Sequence, residues 1–206
     1  MKHMEMEYKW DANFPHAFDR AKKFLKEFCE ITTADSLHIH DTYLDNAHGD
    51  LSKHRIALRV RNTDGVWEAT FKTRTKIQNG KAVRQEETLP LPNVQTRAQA
   101  LRMLAQQTNW PFLNTQELYV RFTLSNKRTV FLLRYQTSVL ELVLDQVTIF
   151  AAGHRTHLKE IELELKQGTE KELTQFAQLF TQQTQLKYAT LSKVKTAEKL
   201  LRRQKK

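Results

Sequence analysis

The sequence predicts an α+β protein: a closed antiparallel β-barrel of about eight strands with flanking helices. Three observations carry that prediction. Strand-length segments alternate between charged and apolar residues, the two-residue period of a β-strand. Asp64-Gly65 and Asn79-Gly80 separate such segments as two-residue hairpin turns. Apolar residues recur at helical spacing in only a few other stretches, as expected of helices laid over a sheet.

The 206 residues fit a single domain, 1–206, with no composition break, low-complexity linker or short-period repeat. The single cysteine, Cys29, excludes an internal disulfide and a Cys-based zinc site, and suggests a reducing, cytoplasmic setting. The first residues are charged, so no signal peptide is expected. No apolar run is long enough for a transmembrane helix, so no membrane partner is expected. The net charge is +10, but residues 193–206 supply +6 of it. A Lys/Arg-rich helix end of this kind is a solvated face more often than a docking face, which argues against nucleic acid as a partner. A homodimer is left open.

In chain order, the first ten residues form the opening strand. Glu5, Glu7 and Lys9 fall on one face, and Met4, Met6 and Tyr8 on the other. Phe14, Phe18, Ala21, Leu25 and Phe28 predict an amphipathic helix over 14–30, with Cys29 inert at its end. Residues 37–44 read as a strand in which Leu37, Ile39 and Asp41 alternate with His38, His40 and Thr42. With no third His at ligand spacing, His38 and His40 read as exposed rather than metal-binding. Asn46, Gly49 and Asp50 mark a loop.

Residues 56–61 form a strand with Arg59 and Arg61 opposite Ile56, Leu58 and Val60. Residues 66–75 return, with Glu68, Thr70, Lys72 and Arg74 opposite Trp67, Ala69 and Phe71. A further strand, 81–89, carries Arg84 and Glu86. Pro90 and Pro92 end this meander. Ala98, Leu101, Leu104 and Ala105 predict a short helix ending near Asn109, and Trp110-Pro111 punctuates. A second meander reads as strands over 118–124, 128–135, 139–149 and 157–166, closed by Gly168. Leu173, Phe176, Ala177 and Phe180 predict a helix. Another begins near Ser192, with Val194, Ala197, Leu200 and Leu201 on one side.

A charged strand face is ordinarily just solvated. Here, however, the acids cluster by strand: Glu5 with Glu7, Glu141 with Asp145, and Glu160 with Glu162 and Glu164. The bases cluster too: Arg59 with Arg61, and Lys72 with Arg74. Like charges two apart on one face repel unless an opposite charge lies between them. Oxygen-only acid clusters suit hard divalent cations, and Arg forks match phosphate oxygens. Closed with its charged faces inward, the sheet would offer both to a metal-bound polyphosphate, with helices covering the outside.

Glu5-Met6-Glu7-Tyr8-Lys9 resembles the E-x-E-x-K signature of the CYTH superfamily, the triphosphate tunnel metalloenzymes. The family's other strands have counterparts in the same order. Leu58-Arg59-Val60-Arg61 resembles L-R-x-R, Thr70-Phe71-Lys72 resembles T-x-K, and Arg84-Gln85-Glu86 resembles R-x-E. Arg128 falls at a basic position. Residues 140–145 resemble I-E-x-x-x-D, residues 160–165 resemble E-x-E-x-E, and Ser192-Lys193 resembles the closing S-K element.

The resemblance implies a tunnel-shaped barrel that hydrolyses or cyclises triphosphates with Mg²⁺ or Mn²⁺. It implies Glu5, Glu7, Asp145, Glu160 and Glu162 as metal ligands, with Glu141 and Glu164 as further candidates for the same site. It places Lys9, Arg59, Arg61, Lys72, Arg84, Arg128 and Lys193 on the triphosphate, and makes Glu7, Lys9, Arg59 and Lys72 the catalytic set. Tyr8 should face outward, and Tyr43 reads as core. No Ser-His or Cys-His arrangement is evident, so the expected chemistry is in-line attack of a metal-activated water without a phospho-enzyme. Tripolyphosphate or a small organic triphosphate is the leading substrate. An adenylate cyclase, a thiamine triphosphatase and a non-catalytic polyphosphate or nucleic-acid binder are the alternatives.

Overall fold

The computed structural model describes residues 2–73, 76–78, 80–106 and 117–203. Arg74, Asn79, Asn109, Trp110-Pro111 and the last three residues of the tail lie outside the described residues, and the helix expected to end near Asn109 ends at Ala105.

Among the described residues, nine strands form one antiparallel sheet, and eight of them close into a barrel. They are β1 (Lys2–Asp11), β2 (Glu30–Asn46), β3 (Ala57–Thr63), β4 (Val66–Lys72), β5 (Lys76–Gln78), β6 (Lys81–Pro90), β7 (Leu118–Tyr135), β8 (Ser138–Ala151) and β9 (His154–Gln167). The ring runs β1-β9-β8-β7-β2-β3-β4-β6, and β1 pairs with β6 to close it. The short β5 pairs with β6 and stands outside the ring. Asp64 and Gly65, both at positive φ, turn β3 into β4 with Thr63 opposite Val66, as the Asp-Gly signal predicts.

The short β5, and a one-turn helix over Asp50–Lys53 in the stretch read as a loop, have no counterpart in the sequence reading, and three longer segments differ from it. Helix α1 spans Ala17–Phe28 rather than 14–30, because Pro15 and the left-handed His16 precede it. The strand read at 37–44 is the end of the 17-residue β2, whose first part pairs with β7 across a bulge at Ile31/Thr33. The strands read at 118–124 and 128–135 are one strand, β7. Ser125-Asn126-Lys127 continues the ladder there, because Asn126 turns inward and donates to Asp145 while Lys127 points out to solvent.

Among the described residues, the buried apolar side chains form three clusters, each covered by helices. Outside the barrel, Tyr8, Trp10, Leu140, Leu142, Leu144, Ile161 and Leu163 pack under α1 and α4 (Glu170–Thr184). Trp10 is fully buried, lies edge-on to Phe180 at 4.7 Å, and donates its indole N–H to Thr181 Oγ1 at 2.8 Å. A buried side chain of this size contributes about 1.5–3 kcal/mol. On another outer face, Leu58, Val60, Ala69 and Phe71 pack against α2 (Asp50–Lys53) and α3 (Arg97–Ala105). Thr96 and Gln99 close a capping box at the start of α3.

The third cluster lies inside. Tyr43, Phe122, Leu124, Val147 and Ile149 project into one end of the barrel, where Ala197 and Leu200 of α5 (Lys193–Arg203) pack on them. Tyr43 stacks on Phe122 at 4.6 Å and is core. Helix α5 thus fills one end of the barrel. Ser192 Oγ caps it by accepting from the Lys195 amide.

Candidate active site

With the outer faces apolar, the charged phase of every barrel strand points inward. On β1, Glu5 and Glu7 are buried inside while Tyr8 lies outside beneath α4. Register aligns the rest: Lys9 stands opposite Glu162, Arg59 opposite Thr70, and Arg128 opposite Asp145, which in turn faces Glu160. Strand twist and closure therefore bring together residues more than 150 positions apart in sequence.

Acid-rich β8 and β9 lie four places round the ring from base-rich β3 and β4. Asp145, Glu160 and Glu162 form a buried triad, with one carboxylate oxygen from each lying within 4.8 Å of the others. Lys193 donates to all three, at 2.8 Å to Asp145, 3.0 Å to Glu162 and in close contact with Glu160. Arg128 grips Asp145 with two bonds of 2.7 Å and reaches Glu162 at 2.8 Å. Lys9 joins Glu162 to Glu7, the latter at 3.2 Å. Opposite, Lys72 sits 2.6 Å from Glu86 and 3.6 Å from Glu5, and Arg84 bridges Glu5 and Glu7. Arg61 forks onto Asp41 at 2.7 and 2.8 Å. Arg59 donates to Thr70 at 3.2 Å and lies 3.7 Å from Asp41.

Burial and charge act against each other on these groups. Burial pushes Glu160 up to about 7, with Glu162 adding to the effect and Lys193 opposing it. Glu164, also raised by burial and by Glu5 and Glu141, sits at about 7. Glu162 stays well below the usual carboxylate range, because Lys193, Lys9 and Arg128 outweigh its burial. Lys72 and Arg84 hold Glu5 low, and Arg61 and Arg59 hold Asp41 low, in both cases against burial. Burial, with Arg84 and Arg59 nearby, brings Lys72 down to about 8 despite Glu5 and Glu86.

All the site residues named from the sequence lie in this interior. The five acids expected to hold metal fall into two groups, however. Asp145, Glu160 and Glu162 converge on one point, whereas Glu5 and Glu7 are held by Arg84, Lys72 and Lys9. Acid and base walls interleave, and the cations between like-charged acids belong to the protein itself. Three buried, converging carboxylates are a suitable donor set for one hard divalent cation. Sequence reasoning gave no role to Asp41, Glu86, Thr70 or Asn126, which anchor these groups. Asp41 left a signal, as a carboxylate in phase with Leu37 and Ile39. Asn126 left none, since it fell between two presumed strands.

The chain is 31% identical over 176 residues to an inorganic triphosphatase of Haemophilus influenzae, covering 84% of this chain and 48% of that protein. It therefore spans about half the length of that relative. A putative adenylyl cyclase from Hippeastrum, described as having a dominant triphosphatase activity, superposes with a TM-score of 0.61 at 19% identity, covering 97% of this chain and 96% of its own. A putative adenylate cyclase from Bacillus halodurans gives 0.60 at 20% identity, covering 93% and 95%. At such identities these two likenesses speak to the fold. The CYTH domain model matches residues 3–197. A closed barrel with this interior, matched from end to end, makes the chain a member of the CYTH domain family.

Proposed function

We propose that this chain hydrolyses a triphosphate, inorganic tripolyphosphate or a small organic triphosphate, inside its barrel. One observation supports this most. A buried carboxylate triad on β8 and β9 shares the barrel interior with Arg59, Arg61 and Lys72 on β3 and β4, three or four places round the ring, and with Arg84 on the nearer β6. An isolated cation or anion would need only one of these walls. A metal-bound triphosphate needs both.

Asp145, Glu160 and Glu162 would hold Mg²⁺ or Mn²⁺, with Glu5 and Glu7 at the edge of the same region. Family membership implies a divalent cation, and the oxygen-only donor set suits these two. Arg59, Arg61 and Arg84 would fork onto phosphate oxygens, and Lys9, Lys72, Arg128 and Lys193 would add point charges. All of these bases are already oriented by carboxylates, so phosphate oxygens would replace existing acceptors with little reorganisation. Glu7, Lys9, Arg59 and Lys72 would flank the reacting phosphate. When bound, the cation supplies charge neutralisation and makes water more acidic for in-line attack. Cys29 caps α1 outside the barrel, and burial pushes its thiol up to about 11, so it is not the nucleophile. Direct hydrolysis follows.

The test is phosphate release from tripolyphosphate, thiamine triphosphate and ATP with Mg²⁺ or Mn²⁺, with cyclic AMP measured alongside. Tripolyphosphate should be cleaved, and Glu7→Ala and Arg59→Ala should each lose at least a hundredfold in rate. Cyclic AMP as the main product would make the chain a cyclase. Tight binding without turnover, insensitive to Glu7→Ala, would make it a binding protein.

A further inference from the structure

We infer that Lys193 is the resident counter-cation of the acid triad and is exchanged for the divalent cation when metal enters. The inference rests on the metal site proposed above and adds a competitor to it. The Lys193 ammonium contacts Asp145, Glu160 and Glu162 at once, so it occupies the point where their oxygens converge. Among the described residues, no other base does this. Arg128 reaches Asp145 and Glu162, and Lys9 reaches Glu162 alone of the three. The triad carboxylates are almost wholly shielded from water. Arg128 shares two of these acids from the side, but only one cation can occupy the convergence point itself, so metal and ammonium exclude one another there.

The backbone allows the exchange without unseating α5. Lys193 is the first residue of that helix, and its Cα is pinned by the Ser192 cap and by Ala197 and Leu200 in the barrel end. The ammonium rides on a flexible four-carbon stem and can swing away while the helix stays docked. Its natural new partner is the phosphate chain brought in with the metal. Lys193 therefore lowers affinity for metal alone and returns that interaction once triphosphate arrives. It is a positioning residue that couples the two binding events.

Mn²⁺ binding to the whole chain without triphosphate, followed by the electron spin resonance of the free ion, tests this. Lys193→Met should bind Mn²⁺ at least tenfold more tightly than the native chain, whereas a merely structural lysine would weaken binding when lost. Lys166→Met removes the same charge from a pair with Glu141 and Glu164, and should change little. Equal or weaker binding by Lys193→Met, or an equal gain in Lys166→Met, overturns the exchange. Glu160→Gln separates this failure from failure of the site itself. If Glu160→Gln loses Mn²⁺ but Lys193→Met gains nothing, only the exchange is wrong. If Glu160→Gln binds like the native chain, the triad is not the metal site and both fall. In the unmodified chain, the protected Lys193 ammonium signal in ¹⁵N NMR should disappear on adding Mg²⁺, and its persistence would also overturn the exchange.

Discussion

Lys72 shows how one position serves two opposed demands. Its folded pKa, brought down to about 8 chiefly by burial, lies below the unfolded value. The folded chain therefore holds the proton less tightly, and the Lys72 contribution to stability rises as pH climbs through 8 toward the ordinary lysine range. Phosphate binding has the opposite sign, because an uncharged Lys72 cannot neutralise an oxyanion. Tripolyphosphate affinity measured by calorimetry should fall above about pH 8, by at most about tenfold per pH unit. Lys72→Arg should flatten that limb, and an unchanged fall would show that another group titrates. Asp41 is a second case. Asp41→Asn strips the buried Arg61 fork of its carboxylate and should cost about 3 kcal/mol in denaturant unfolding. Added tripolyphosphate should recover part of that loss if Arg59 and Arg61 face the substrate.

At the scale of elements, alternation revealed where the ring strands lie but not the short β5, and hydrogen-bond partners decided how far they run. The joint in β7 is the clearest case. Ser125-Asn126-Lys127 looks like a break until Asp145 is placed beside Asn126. The turn from β9 into α4 has the opposite character, because Gly168 marked it plainly. Gly168 has a φ of +114°, and a Cβ there would lie 2.0 Å from Ser138 Oγ and 2.7 Å from Ser138 Cα. That Ser138 hydroxyl accepts from the Thr169 amide and donates to Glu172. Gly168→Ala should therefore destabilise by about 3 kcal/mol, through backbone strain and overpacking together. A lowered midpoint with unchanged denaturant slope is the expected signature, and a neutral effect would mean that the turn relaxes freely.

For the whole molecule, the internal charge balance has a consequence. The interior acids are each answered by a base, with Lys193, Arg128, Lys9, Lys72 and Arg84 serving as built-in counter-cations. Folding should then not depend on metal, and EDTA should leave the melting temperature almost unchanged. Saturating Mn²⁺ with tripolyphosphate should raise it. At one hundred times the dissociation constant the gain is about 2.7 kcal/mol, or roughly 5–10 °C for a chain of this size. Unfolding on chelation would instead make the metal structural.

The alternation and the hairpin and helix signals are written in the chain, and with them the inward-facing set of Glu5, Glu7, Lys9, Arg59, Lys72, Arg84 and Glu162. Local periodicity fixes the face on which a side chain falls, because it depends only on backbone geometry. Which charges meet is a property of the folded barrel. The convergence of Asp145, Glu160 and Glu162 on Lys193, the Asp41–Arg61 fork, and the entry of α5 into the barrel end all depend on register and ring closure. Those are set by pairings between distant strands, and no local pattern encodes the distance between two side chains that meet across a lumen.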